Sequence, residues 1–268
     1  MHPASPSNIR APAVAGRFYP QGAAALSRSV QYLLENARAV AGMPPKALIA
    51  PHAGYIYSGP ITASAYASLA SVRATIKRVV LLGPSHRVPV RGLALPRASH
   101  FMTPLGAVKI DTTARHTLRD LPQVIVSDSA HAQEHSIEVH LPFLQTTLAN
   151  FELIPLAVGQ ADAAEVAAVL EALWGGPETL IVVSSDLSHY LDYRRARTLD
   201  LATAGAILAL RTDIEPEHAC GATPICGLTL TAERKNLQPE LLDLRSSGDT
   251  AGDPERVVGY GAFAFYGA

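Results

Sequence analysis

The chain has 268 residues, with 22 Lys and Arg against 23 Asp and Glu, a formal net charge of −1. That balance gives no electrostatic case for nucleic acid or an anionic membrane as partner, and no apolar run approaches the roughly 18 residues a membrane helix requires. Apolar residues make up 48% and charged residues only 17%, below the roughly 25% usual in soluble domains, which excludes a disordered chain and predicts one large buried core in a single domain, 1–268.

The N-terminus, Met1 to Arg10, is polar and contains proline, unlike a secretory signal, so the expected location is the cytoplasm. Leu26, Val30, Leu33 and Leu34 recur at three and four and predict a helix. Ala47–Ala50 and Arg78–Leu82 are short aliphatic runs bounded by Gly or Pro and read as buried strands, as do Phe151–Val158 and Thr179–Val183. Helical spacing returns in Ala163, Val166, Ala167, Leu170 and Leu173, and again in Leu199, Thr203, Ile207 and Leu210. The last stretch, Val257–Tyr266, alternates small with large residues and predicts a final strand, antiparallel in a mixed sheet. Strands flanked by helices give an α/β fold, a mixed and largely parallel sheet with helices on its faces.

Three of these strands run directly into polar motifs. Ala47–Ala50 leads to Pro51-His52-Ala53-Gly54-Tyr55, Arg78–Leu82 to Gly83-Pro84-Ser85-His86, and Thr179–Val183 to Ser184-Ser185-Asp186-Leu187-Ser188-His189. Ligands of open α/β sheets bind beyond the carboxyl ends of the strands, so parallel strands would carry His52, His86, Asp186 and His189 to one rim. Imidazoles converging from separate strands supply neutral nitrogen donors to a divalent ion from a rigid frame; each alone could equally cap a helix or bond a carbonyl. Asp186 and His189 are three apart, so a helical turn after the strand would put them on one face, the carboxylate steadying a general base; the alternative is an N-cap Asp beside a solvated His.

A further cluster, Gln133-Glu134-His135-Ser136-Ile137-Glu138-Val139-His140, is dense in polar groups for a chain poor in charge. Glu134 and Glu138 would share a helix face, or Ser136, Glu138 and His140 a strand face; the cluster is either a solvated helix start or support behind a metal site. Only two cysteines occur, too few for a disulfide framework. Cys220 lies by a turn defined by Gly221 and Pro224 between helix-like segments, where a thiolate could ligate a metal; alternatively Cys220 and Cys226 are both small buried apolar residues.

Six motifs, Arg10-Ala11-Pro12-Ala13-Val14-Ala15-Gly16-Arg17-Phe18-Tyr19-Pro20, Ala50–Tyr55, Leu82–His86, Glu134–Pro142, Ser184–His189 and Cys220-Gly221-x-x-Pro224-Ile225, resemble the MEMO family in order and spacing across nearly the whole chain. The prokaryotic branch is often called AmmeMemoRadiSam system protein B. The family is similar in fold to the catalytic subunits of class III extradiol dioxygenases, which use non-haem Fe(II). The resemblance implies that His52 and His86 are metal ligands, that His189 is the acid/base residue with Asp186 beside it, and that His135 belongs to the substrate pocket. It also puts Cys220 where the dioxygenases have a Glu ligand, which moves the site toward Fe, Cu(I) or Zn and away from simple ring cleavage. The implied function is a metal-dependent redox enzyme, Fe(II) foremost or copper, on a small phenolic substrate. The alternatives are a ligand- or peptide-binding adaptor, in line with family members in animals, and a zinc-dependent hydrolase. AMMECR1-like and radical SAM proteins are the implied functional associates.

Overall fold

The structure, a computed structural model, describes residues 8–37 and 43–267. The polar segment 1–7 lies outside the described residues. In chain order the elements are β1 (Ile9–Arg10), α1 (Ala23–Glu35), β2 (Ala47–Ala50), α2 (Tyr55–Ala67), β3 (Arg78–Pro84), β4 (Leu93–Leu95), β5 (His100–Thr103), β6 (Gly106–Lys109), α3 (Ala114–Thr117), β7 (Val124–Val126), α4 (Asp128–Ala132), α5 (Leu141–Thr147), β8 (Glu152–Val158), α6 (Ala163–Ala172), β9 (Thr179–Ser184), β10 (His189–Leu191), α7 (Tyr193–Leu208), α8 (Ala222–Arg234), β11 (Gln238–Ser246) and β12 (Val257–Tyr266).

The main sheet runs β10-β12-β2-β9-β3-β8-β4-β7, with β11 on β12. Its centre, β2-β9-β3-β8, is parallel, and β12 lies antiparallel to β2, as the final alternating stretch predicts. The aliphatic runs are buried on both faces because each face has its own core. Leu48, Val79, Leu81, Leu180 and Val182 point into a cluster with α1, α2 and α5, whereas Ile49, Val80, Leu82, Ile181 and Val183 point into one with α6, α7 and α8. A smaller sheet, β1-β5-β6, ties the N-terminal segment to the rest.

Departures from the sequence expectations have local causes. The helix read from Leu199 starts earlier, at Tyr193, because Asp192 accepts the N–H groups of Arg194 and Arg195 as its N-cap. The turn before α8 ends at Gly221; Pro224 belongs to the first turn of α8, where a missing N–H leaves no helix bond unmade. The α2 helix was not legible, since it is buried almost all round and carries Pro60, so it shows no amphipathic stripe. The 133–143 stretch is neither one helix nor a strand. It is a loop, a single 3-10 turn over Glu138–His140, and then α5. Nor is it solvated: Glu134, Ser136, Glu138 and His140 are all buried.

Candidate metal centre

The three central strands β2, β9 and β3 are neighbours and run in parallel, so their carboxyl ends share one rim. His52, His86 and Asp186 each stand two residues past their strand's last residue. Cys220 comes from the other direction, on the turn into α8. Its N–H donates to the Asp186 carbonyl at 3.2 Å, and the Gly221 N–H donates to Ser185 Oγ at 2.9 Å. A Cβ at position 221 would sit 2.6 Å from Ser185 Cβ and 2.7 Å from the Ser184 carbonyl oxygen, so only glycine lets this turn press against the end of β9.

The result is convergence. One donor atom each from His52, His86 and Cys220 lie within 4.8 Å of one another, with Cys220 Sγ 3.3 Å from His52 Nε2 and the two imidazole rings 5.2 Å apart at 70°. Bonds of about 2.0–2.1 Å to nitrogen and 2.3 Å to sulfur at a tetrahedral angle set an N···S edge of about 3.6 Å, so the set fits one ion with small adjustments. Without an ion, burial and then the Asp186 carboxylate push the Cys220 thiol up to about 12, while burial and the neighbouring histidines hold His52 well below its usual range. Both groups therefore resist charging on their own, and a cation would be what draws the proton from sulfur.

His86 has an evident orienting partner. Glu134 Oε1 accepts from His86 Nδ1 at 2.9 Å and Oε2 from the His86 N–H at 2.6 Å. Since the carboxylate only accepts, His86 carries its proton on Nδ1 and leaves Nε2 bare. Burial alone would raise the Glu134 pKa, but the His86 imidazole and the backbone N–H groups of Ser136 and His86 outweigh it and bring the carboxyl down to about 2. His86, Glu134 and His135 form a second group of metal-binding type. Glu134 there is already occupied by four N–H donors, from His86 twice and from the His135 and Ser136 backbones at 2.9 Å each; it acts as support for the first group.

His135 stacks on His86 (centroids 4.9 Å, 20°) and packs edge-on against His52 and beside Phe18. Its Nδ1 lies 3.3 Å from Glu134 Oε1 and is buried without a hydrogen bond; burial lowers its pKa to about 4, against the opposing pull of Glu134. His52, His86, His135 and Cys220 open onto a cleft of about 1070 Å³ whose walls include Phe18, Tyr57, Tyr190, Tyr260, Arg87 and Arg256. Of these walls only Phe18, in a motif, and Tyr260, in the last strand, fall in stretches that the sequence marks. The isolated aromatics and arginines of the other walls carry no period or spacing that would mark them.

The helical turn expected after β9 to put Asp186 and His189 on one face is absent, although the His189 imidazole still acts electrostatically on the Asp186 carboxyl and pulls its pKa down. Leu187 and Ser188 bond backbone to backbone with Gly259 of β12, and His189 opens β10 as an exposed side chain on the cleft wall. Asp186 is buried and its Oδ1 accepts the His52 N–H at 2.8 Å, so it fixes the loop that carries a candidate ligand. Burial raises its pKa to about 6 against the pull of that N–H. The residue that steadies the His189 loop is Asp200 of α7, which accepts the Ser188 N–H at 3.0 Å. Cys226 stands apart, buried in the α6–α8 core with its thiol on the Ile214 carbonyl.

Comparison with known proteins bears on the fold and the family. An uncharacterized protein from Escherichia coli K12 of known crystal structure shares the fold, with a TM-score of 0.53 at 14% identity over 80% of this chain and 98% of that one. A MEMO1 family protein of Methanothermobacter thermautotrophicus is 36% identical over 94% of this chain and 98% of its own length. Others from Ignicoccus hospitalis and Aquifex aeolicus are 35% and 33% identical, over 96% and 94% of this chain and 98% and 97% of theirs. The family profile for Memo-like proteins matches residues 10–264, from the Arg10 segment to the last strand, and the chain belongs to the Memo family.

Proposed function

We propose that His52, His86 and Cys220 bind one divalent metal ion and that the protein is a metal-dependent redox enzyme acting on a small phenolic substrate in the adjoining cleft. The observation that carries the reading is the convergence of two imidazoles and a thiol within 4.8 Å at the floor of an open cleft. Fe(II) is the first choice of ion and copper the second; when bound, either would supply Lewis acidity and one-electron chemistry. The chain's own part is to bind, orient and move protons. The aromatic wall of Phe18, Tyr57, Tyr190 and Tyr260 suits a flat ring. His189, exposed on the wall beside Tyr190, accepts the substrate's hydroxyl proton, help worth about 10²–10⁴-fold. Asp186 serves by holding the His52 loop.

Zinc-assisted hydrolysis is the second reading, favoured by a ligand set of two nitrogens and one sulfur that leaves a fourth tetrahedral position open to the cleft. Elemental analysis of anaerobically purified protein, followed by oxygen uptake with catechol, separates the two. Iron or copper near one per chain with catechol-dependent uptake is expected. Zinc at one per chain without uptake turns the account to hydrolysis, and metal-free protein that still binds ligands favours an adaptor.

A further inference from the structure

The backs of the two candidate ligand histidines are served by one short run, Glu134-His135-Ser136, by unequal means. Behind His86 stands the Glu134 carboxylate. Behind His52 stands a hydroxyl: Ser184 Oγ lies 2.6 Å from His52 Nδ1 and also 2.6 Å from the Ser136 carbonyl oxygen. A carbonyl has no hydrogen to give, and a serine hydroxyl has only one. That hydrogen goes to the Ser136 carbonyl, so Ser184 Oγ can only accept at His52, and the imidazole proton must be on Nδ1.

The far end of this relay is held on three sides. The Ser136 N–H donates to Glu134 Oε1 at 2.9 Å, its hydroxyl donates to the Pro84 carbonyl at 2.9 Å, and its carbonyl receives Ser184. Gly83 makes room for it, since a Cβ there would lie 2.6 Å from Ser136 Oγ. Ser184 and Ser136 are both fully buried, and no solvent is at hand to replace either partner. A neutral imidazole accepts a proton on either nitrogen, and a proton on Nε2 would block the position that faces Cys220 Sγ.

We infer that Ser184 is a positioning residue whose hydroxyl, committed to the Ser136 carbonyl, locks His52 in the Nδ1–H form and keeps Nε2 bare toward Cys220 and a shared ion. The inference rests on the metal-binding reading for its purpose, but not for its test. Its closing experiment reads the imidazole nitrogens of His52 by ¹⁵N NMR in metal-free protein, wild type and Ser184→Ala, with Thr231→Ala as a buried-hydroxyl deletion in α8. Zn²⁺ affinity is then measured on the same samples by chelator competition. The wild type and Thr231→Ala are expected to show His52 protonated on Nδ1. Ser184→Ala is expected to show a mixed or Nε2–H tautomer and a Zn²⁺ affinity about 10–100-fold weaker. His52 protonated on Nε2 in the unaltered protein, which needs no variant to fold, would overturn the inference; so would a Ser184→Ala protein with unchanged tautomer and affinity. A wild type that binds no Zn²⁺ while Ser184→Ala still shifts the tautomer overturns the metal reading and leaves the positioning role standing.

Discussion

Two buried polar clusters grow from the same stretch of chain, and they end differently. At Glu138 every capacity is filled: its carboxylate accepts from the Arg10 guanidinium, from the Ala13 and Val14 N–H groups at 2.7 and 3.0 Å, and from the Tyr19 hydroxyl at 2.5 Å. Arg10 spends its other donors on the His131 and Glu134 carbonyls at 2.9 and 2.7 Å. The cluster is closed and pins residues 10–19, Phe18 included, beside the cleft. Four residues earlier, Glu134 orients His86 so that a nitrogen is left over, aimed at the same point as His52 and Cys220. Buried polarity alone does not mark a site. The difference is donor capacity left unfilled and converging.

The contrast can be broken most severely at Glu138. Glu138→Ala strands the Arg10 charge in the interior, and losing one partner of a buried pair costs about 3–5 kcal/mol; urea unfolding should show a loss of that order in metal-free protein. A small loss in stability together with a lost metal site would mean the two clusters are one. A smaller effect is expected from Glu134→Gln, which removes the charge behind His86: metal affinity should fall about 10–100-fold, measured by chelator competition, and an unchanged affinity would remove Glu134 from the centre.

The smallest effect concerns two buried histidines behind the site, His131 and His140, each with one ring nitrogen that makes no hydrogen bond. Burial holds His140 down to about 3 and His131 down to about 4, from a usual 6.5. Above 6.5 both states are neutral at these rings and the stabilisation is complete. Below it the unfolded chain takes up protons that the folded chain refuses, so stability falls as the pH drops from about 6.5 toward 4 and 3. Urea midpoints should decline between pH 6.5 and 5, ahead of most carboxylate titration. His52 and His135, also held down by burial, add to this decline, and Asp186, raised to about 6, works against it, so the contribution of His131 and His140 is the part of the decline lost in His131→Phe and His140→Phe.

Much of the frame was legible because the central strands alternate between two cores, so Arg78–Leu82 and Thr179–Val183 read as unbroken aliphatic runs that end in histidine or aspartate motifs. The rim positions of His52 and His86 followed from that pattern and the parallel order. Cys220 was placed by family resemblance alone, since nothing local says that its turn reaches back to β9. The spacing of Asp186 and His189 suggests a helical turn that does not form, because the chain after Ser188 is taken up by backbone pairing with β12. The density of the 133–140 stretch was plain, but its division into a brace at Glu134 and an anchor at Glu138 depends on Arg10 and Tyr19, more than a hundred residues away. Ser184 heads one of the strand-end motifs, but nothing in the spacing says that its hydroxyl would reach from the Ser136 carbonyl to His52. Among the described residues no helix is long and apolar enough to cross a membrane, in line with the reading of the apolar runs.

The central claim is that one ion is held jointly by His52, His86 and Cys220. Anaerobic titration with Co²⁺ reads it directly, because thiolate ligation adds a sulfur-to-cobalt charge-transfer band. The account predicts saturation at one ion per chain with that band present, the band lost in Cys220→Ser, and binding greatly weakened in His52→Ala and His86→Ala. Saturation without a sulfur band, or binding indifferent to all three substitutions, would contradict it.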